Sequence, residues 1–183
     1  TGSVAGGITA YSYGGYLSGC YNDGSVLAGQ IAGGIVGKAD SSSDYDGVIE
    51  SCYNLGSVKG NASDADALLG GIVGSLSWTN LNNCYHAGTV TANSEASNTK
   101  KGAIVGQSLF MREVKGNYFL GATLSEAYGS MGIGDTAKKS NFRPMDEEDM
   151  KGDYLLTQLK TYTEPYSLYQ VNWTADKNNS NQG

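Results

Sequence analysis

The sequence predicts an all-β fold, a parallel β-helix or β-solenoid of about four coils with ~32-residue repeats and a short C-terminal helical cap. Three observations carry this. Cys20, Cys52 and Cys84 are spaced by 32 and 32 residues, and each opens a matching string: CYNDGSV at 20–26, CYNLGSV at 52–58 and CYHAGTV at 84–90. A second block keeps step, reading GGIVG at 33–37, GGIVG at 70–74 and GAIVG at 102–106. Glycine supplies 27 of the 183 residues and proline 2, against a usual glycine share of about 7%. Collagen needs glycine at every third position with abundant proline, and is excluded. Of the 27 glycines, 15 fall at repeat positions, so the excess is periodic.

The elements follow in order. Residues 2–4 (GSV) and 6–9 (GGIT) read as the tail of an earlier copy, which makes the chain look like part of a longer protein. Within each CYNxGSV string a period of two puts Cys and Val on one face and Tyr on the other. Asn-x-Gly suits a tight corner, because both residues tolerate left-handed backbone. An apolar residue lies three positions before each cysteine: Leu17, Ile49 and Leu81. A degenerate fourth copy, NYFLGAT at 117–123, follows Val114. A unit of two or three short strands cannot bury its own apolar face. Stacked units can, with equivalent residues about 4.8 Å apart. Expected columns are Cys20, Cys52 and Cys84; Val26, Val58 and Val90; and Ile35, Ile72 and Ile104. Residues 38–47 read as the longest insertion and 91–101 as a polar, variable loop.

The repeat region is placed at 1–125 and an irregular or helical cap of the same domain at 126–183. GSMGIG at 129–134 suits a loop or a weak last strand. DEEDMK at 146–151 has acidic residues at its start and Lys151 at its end, as a short helix requires. In 153–162 Asp153 suits an N-cap, and Leu155, Leu156, Leu159 and Tyr162 fall at helical spacing. Leucines there would plug the open end of a solenoid core. Residues 166–173 suit a final strand.

The paired G-[GA]-I-V-G and C-Y-[NH]-x-G-[ST]-V blocks resemble the GLUG motif repeats of bacterial surface proteins, over roughly residues 1–125. Such repeats occur in adhesin-like proteins, especially of Gram-positive and gut bacteria, and beside the catalytic domains of IgA-peptidase-like proteins. The resemblance implies an extracellular module, secreted or attached to the cell wall or surface. Adhesin or stalk is its implied role, with a host glycan or protein as partner beside neighbouring domains of a longer chain. The fourth copy departs from the motif, with Asn117 for Cys and Thr123 for Val.

Charge and composition narrow the functions further. The net charge is −6 and the isoelectric point about 4.6, which argues against a nucleic-acid binder. Apolar runs reach about four residues, far short of the ~20 of a membrane span. A carbohydrate-active β-helix enzyme, the alternative function, needs carboxylates converging on one face. No carboxylate recurs at a repeat position, His86 occupies the corner position of Asn22 and Asn54, and the arginines are Arg112 and Arg143. No catalytic residue is therefore assigned. The three cysteines read as small buried apolar residues, although neighbours in a column could be bridged.

Two candidate sites remain. Asp40, Asp44, Asp46 and Glu50 lie in a loop with Gly47, and such oxygen donors suit calcium; a solvated acidic loop is the simpler account. Tyr21, Tyr53, Tyr85 and Tyr118 recur after the cysteine position and should stack as an aromatic column, either as packing or as an exposed ligand-binding face.

Overall fold

The computed structural model describes residues 3–61, 67–93, 99–122, 128–130, 141–161 and 171–175. It is an all-β protein with little helix, and every strand pair among the described residues is parallel. Four sheets each take one strand from successive repeats. One holds Val4–Gly6, Ile31–Gly33, Leu68–Gly70 and Lys100–Gly102. A second holds Val26–Ala28, Val58–Gly60 and Val90–Ala92. The largest runs through Thr9–Tyr13, Val36–Asp40, Val73–Asn82, Val105–Lys115 and Tyr128–Ser130, with Tyr16–Ser18 and Gly47–Glu50 continuing its lower half. The fourth holds Tyr21–Asn22, Tyr53–Asn54, Tyr85–His86, Asn117–Leu120 and Phe142–Met145.

Register follows the repeat. Val58 faces both Val26 and Val90. Ile35 N donates to Ile72 O, and Ile72 N to Ile104 O, each at 3.0 Å. Leu17, Ile49, Leu81 and Val114 form another column. The cysteines lie in step, since Tyr53 N donates to Cys20 O at 3.0 Å and Tyr85 N to Cys52 O at 3.1 Å.

Several expectations are corrected. Cys and Val do not share a face of one core. Cys52 and Cys84 pack with Ile35, Ile72, Ile104 and Leu81, whereas Val26, Val58 and Val90 pack with Ala28, Ala32 and Leu69 in a separate cluster. The cause is the Asn-x-Gly corner, which turns the chain between them, so a period of two does not run through it. Val4 pairs with Ile31. Lys38–Asp40 and Gly47 belong to strands, so the insertion shrinks to 41–46, and 91–92 and 100–101 are strand as well. Strand pairing continues past residue 125 through Tyr128–Ser130 and Phe142–Met145. Pro144 is accommodated there because its strand lies at the sheet edge.

A further corner precedes the cysteines. Gly19, Ser51, Asn83 and Gly116 all take φ between 50° and 63°, left-handed backbone that glycine and asparagine accept most readily. It redirects the chain from the large sheet into the fourth.

Helix α1 (Glu147–Lys151) is capped by Asp146, whose side chain accepts from Asp149 N. Helix α2 (Asp153–Thr161) has Asp153 as its first helical residue and not as a cap. Its leucines do not plug the end of the inner core. Leu155 and Leu159 pack with Met150, Met145 and Tyr118 on the outer side of the fourth sheet. Tyr162 lies outside the described residues, as do 131–134, 166–170 and residues 94–98 of the loop 91–101. Residues 171–173 are described and carry no strand.

The second glycine of each GG pair is where the two sequence blocks meet. A Cβ on Gly34 would lie 2.0 Å from Gly71 O and 2.2 Å from Asn54 Nδ2. On Gly71 it would lie 2.0 Å from Ala103 O and 2.3 Å from His86 Cδ2. At the equivalent position of the next copy stands Ala103, in the apolar cluster that also holds Phe119. Gly34→Ala should therefore cost about 3 kcal/mol or more through backbone displacement, whereas Ala103→Gly should cost only about 1 kcal/mol. Urea denaturation of the two variants checks this, and equal losses would refute it.

Candidate functional site

The predicted tyrosine column forms, but most of it is covered. Tyr21 and Tyr53 stack at 5.3 Å between ring centroids with 12° between planes, and Tyr53 and Tyr85 at 4.9 Å and 3°. In register Tyr118 continues the column beyond Tyr85. The rings point away from the cysteines, as the alternation predicts. Trp173 lies across the stack, with centroids 6.1 Å from Tyr53 and 5.9 Å from Tyr85. Helix α2 and Met145 close over Tyr118, leaving it 4% exposed, whereas Tyr21 at the far end is 52% exposed. Burial pushes the Tyr85 and Tyr118 phenols above their ordinary range. Tyr118 is thus corrected from a ligand contact to a packing residue. Tyr21, with the half-buried Tyr53, is what a ligand could reach.

The acidic loop does not assemble a metal cage. Asp40 accepts from Ser41 N at 3.0 Å and lies 3.7 Å from Lys38 Nζ. Asp44 is exposed and accepts from Ser43 Oγ at 3.2 Å. Asp46 is paired with Arg112. Glu50 is buried and accepts from the hydroxyls of Tyr16 and Ser18. Among the described residues no group of three His, Cys, Asp or Glu side chains could hold a metal ion. The structure thus does not bring the four carboxylates together as the calcium reading expects; each is engaged by a different partner.

The three cysteines are free thiols. Cys52 Sγ donates to Glu50 O at 3.1 Å and Cys84 Sγ to Asn82 O at 3.2 Å. A hydrogen bond to the Cys52 thiol, then burial, raises the Cys20 thiol well above its ordinary range. Protonated, buried thiols are poor nucleophiles.

His86 lies in a buried polar column with Asn22 and Asn54. Asn22 Nδ2 donates to Asn54 Oδ1 at 2.8 Å. Asn54 closes its own corner, accepting from Gly56 N at 3.0 Å and donating to Gly71 O at 2.9 Å. His86 Nδ1 lies 3.0 Å from Asn54 O and 3.1 Å from Asn54 Nδ2, and Nε2 is buried with no partner. Burial lowers the His86 pKa from 6.5 to about 4. The ring is neutral at pH 7, fully enclosed and unable to touch a substrate. Of the arginines, Arg112 is engaged by Asp46 and Ser43 O, and Arg143 Nη1 donates to Gln158 Oε1 at 3.4 Å.

One group of residues escaped the sequence reading. Tyr13, Tyr45, Trp78 and Phe110 are all exposed and line one corner of the large sheet. Trp78 and Phe110 stack at 5.0 Å with 22° between planes, and the Arg112 guanidinium lies 5.8 Å from the Trp78 ring centre. Their spacing of 32, 33 and 32 residues was the available signal. It was hidden because each copy uses a different aromatic residue, offset by one.

Comparison with protein-family models, with curated proteins and with solved structures returned no match for the chain. No helix among the described residues is long and apolar enough to cross a membrane.

The His86 environment predicts a pH dependence. Between pH 6.5 and about 4 the unfolded chain binds a proton that the folded chain refuses. Stability is therefore complete above pH 6.5 and falls by about 3 kcal/mol as the pH drops through this window. His86→Asn restores the residue of the preceding copy and leaves the corner bonds available. Its unfolding free energy should fall less than that of the unmodified protein between pH 6.5 and 4; parallel urea-denaturation curves would rule the effect out.

Proposed function

We propose that the four parallel sheets are the faces of one β-solenoid of about four coils, and that this solenoid is a non-catalytic repeat module of a bacterial surface protein of GLUG type. Its role is that of an adhesin or a stalk, outside the cell or on its surface, with a glycan or protein partner and neighbouring domains of a longer chain. The observation that carries this reading is the in-register stacking of equivalent repeat residues, Val26 on Val58 on Val90 and Leu17 on Ile49 on Leu81 on Val114. Such a scaffold lengthens by adding copies and needs no chemistry of its own. The side chains that an enzyme would use are occupied structurally: His86 is sealed in the corner column and Glu50 is held by two hydroxyls.

The reading is tested in two ways. Incubation of the purified protein with a set of plant and host polysaccharides should release neither reducing ends nor unsaturated products. Protease added to intact cells expressing the full-length protein should digest it. Product release would favour the β-helix enzyme instead, and protection in intact cells would exclude the surface module.

A further inference from the structure

We propose that the corner row of Tyr13, Tyr45, Trp78 and Phe110 is a binding edge for a neutral oligosaccharide, lying along the direction in which the strands stack. The proposal rests on the binding-module reading above and names its site and partner class.

The row is continuous. A Cβ on Gly14, next to Tyr13, would lie 3.5 Å from Tyr45 Cβ, which brings the first two copies together. Arg112 ties the loop 41–46 to the strand Val105–Lys115 through Asp46 and through Ser43 O at 2.9 Å. The same guanidinium lies over Trp78, which stacks on Phe110. Each of four copies thus contributes one aromatic ring, and the most exposed, Tyr45, is 66% accessible.

The row is also built rather than incidental. Trp78 takes φ +52°, a conformation that a bulky residue rarely adopts and that recurs at sites where a side chain is aimed for function. One register shift precedes it, between Leu76 and Ser77, one spans it, between Ser77 and Thr79, and one follows, between Thr79 and Leu81. Bulges of this kind re-aim side chains. Two copies earlier the corresponding corner residue is Gly14, also left-handed at φ +59°. Tryptophan therefore stands where glycine would be the relaxed choice.

Chemistry selects the occupant. Beside the strip runs a register row that includes Tyr11, Lys38 and Gln107, whose side chains can hydrogen-bond. Apolar rings beside a polar rim match a pyranose chain, which has apolar C–H faces and a hydroxyl edge. A protein partner would favour a broader apolar centre. With a net charge of −6, the protein disfavours an acidic glycan.

The test is calorimetric titration with cellohexaose, chitohexaose, laminarihexaose and xylohexaose. At least one should bind, and Tyr45→Ala and Trp78→Gly should each weaken it ten-fold or more. Trp78→Gly suits the left-handed backbone, and its thermal unfolding shows that the fold is intact. Tyr154→Ala, at an exposed ring on α2 away from both aromatic rows, should bind as the unmodified protein does. No binding at millimolar sugar overturns the proposal, as does binding that both variants retain. Self-association that Trp78→Gly abolishes, read by sedimentation, would assign the strip to a second copy instead and also overturn it. If binding fails while intact cells still expose the protein to protease, the surface module survives as a stalk.

Discussion

Stacking in register is the constraint on which the rest of this structure depends, and the buried column Asn22, Asn54 and His86 holds it most tightly. Each Asn amide bonds to its own corner and to the copy beside it. These groups are buried at Asn54 and His86, so a shift of one residue would leave polar atoms unpaired in an apolar interior. That penalty is about 1–3 kcal/mol per group. Apolar columns alone would resist slippage less, because Val, Ile and Leu exchange neighbours at modest cost. The column also explains why the two sequence blocks travel together. Asn54 fills the space that Gly34 leaves, and His86 the space that Gly71 leaves. Where the column ends in Phe119, the paired glycine has become Ala103.

This constraint sorts the remaining side chains. Residues on the inner side stack into dry columns, and the three free thiols lie among them. Residues on the outer side of the fourth sheet form an equally regular tyrosine column, and there α2 and Trp173 intervene. An aromatic column is apolar surface in need of cover, and the C-terminal segment supplies it over Tyr53, Tyr85 and Tyr118. The helices therefore act on the flank of the sheet. They bury roughly the area of two leucines and a methionine, about 1.5–3 kcal/mol for each side chain. Regular stacking creates two aromatic rows in this molecule, and the cover decides which of them meets solvent.

Much of this was legible in the residues. Identical strings at identical spacing place Cys, Val, Ile and Leu into their columns before any coordinates are seen, because a parallel stack repeats its register with its sequence. The degenerate copy at Asn117 was legible for the same reason, and its substitution is explained: Asn117 Oδ1 accepts from Cys84 N at 3.1 Å and Nδ2 donates to Leu81 O at 2.8 Å. What could not be read depends on direction rather than period. The corner inside CYNxGSV turns the chain, so alternation misplaced Val relative to Cys. The left-handed corner at Gly19, Ser51, Asn83 and Gly116 has no common residue type. Phe142–Met145 joins the fourth sheet through backbone pairing that its sequence does not advertise. The calcium loop was misjudged for a related reason: the long-range partners that engage its carboxylates, Arg112 for Asp46 and the Tyr16 and Ser18 hydroxyls for Glu50, lie outside the loop's own sequence.

Variation between copies is itself informative once the scaffold is fixed. At the column positions substitutions are small and compensated, as in Gly71 with His86 or Ala103 with Phe119. At the corner of the large sheet the copies differ in length and in residue, and the loop 41–46 is inserted whole. Drift without a requirement would fill such a corner with glycine and small polar residues, as Gly14 and Gly15 do in the first copy. Instead an exposed aromatic ring stands at or beside the corner in every copy, and Trp78 holds its place against a backbone cost of about 1–3 kcal/mol. That ring lies outside the buried apolar clusters, stacking at the surface on Phe110 of the next copy. Stacking on Phe110 and the Arg112 guanidinium offset part of that cost, and the part of Trp78 that still faces solvent is the part a ligand would cover.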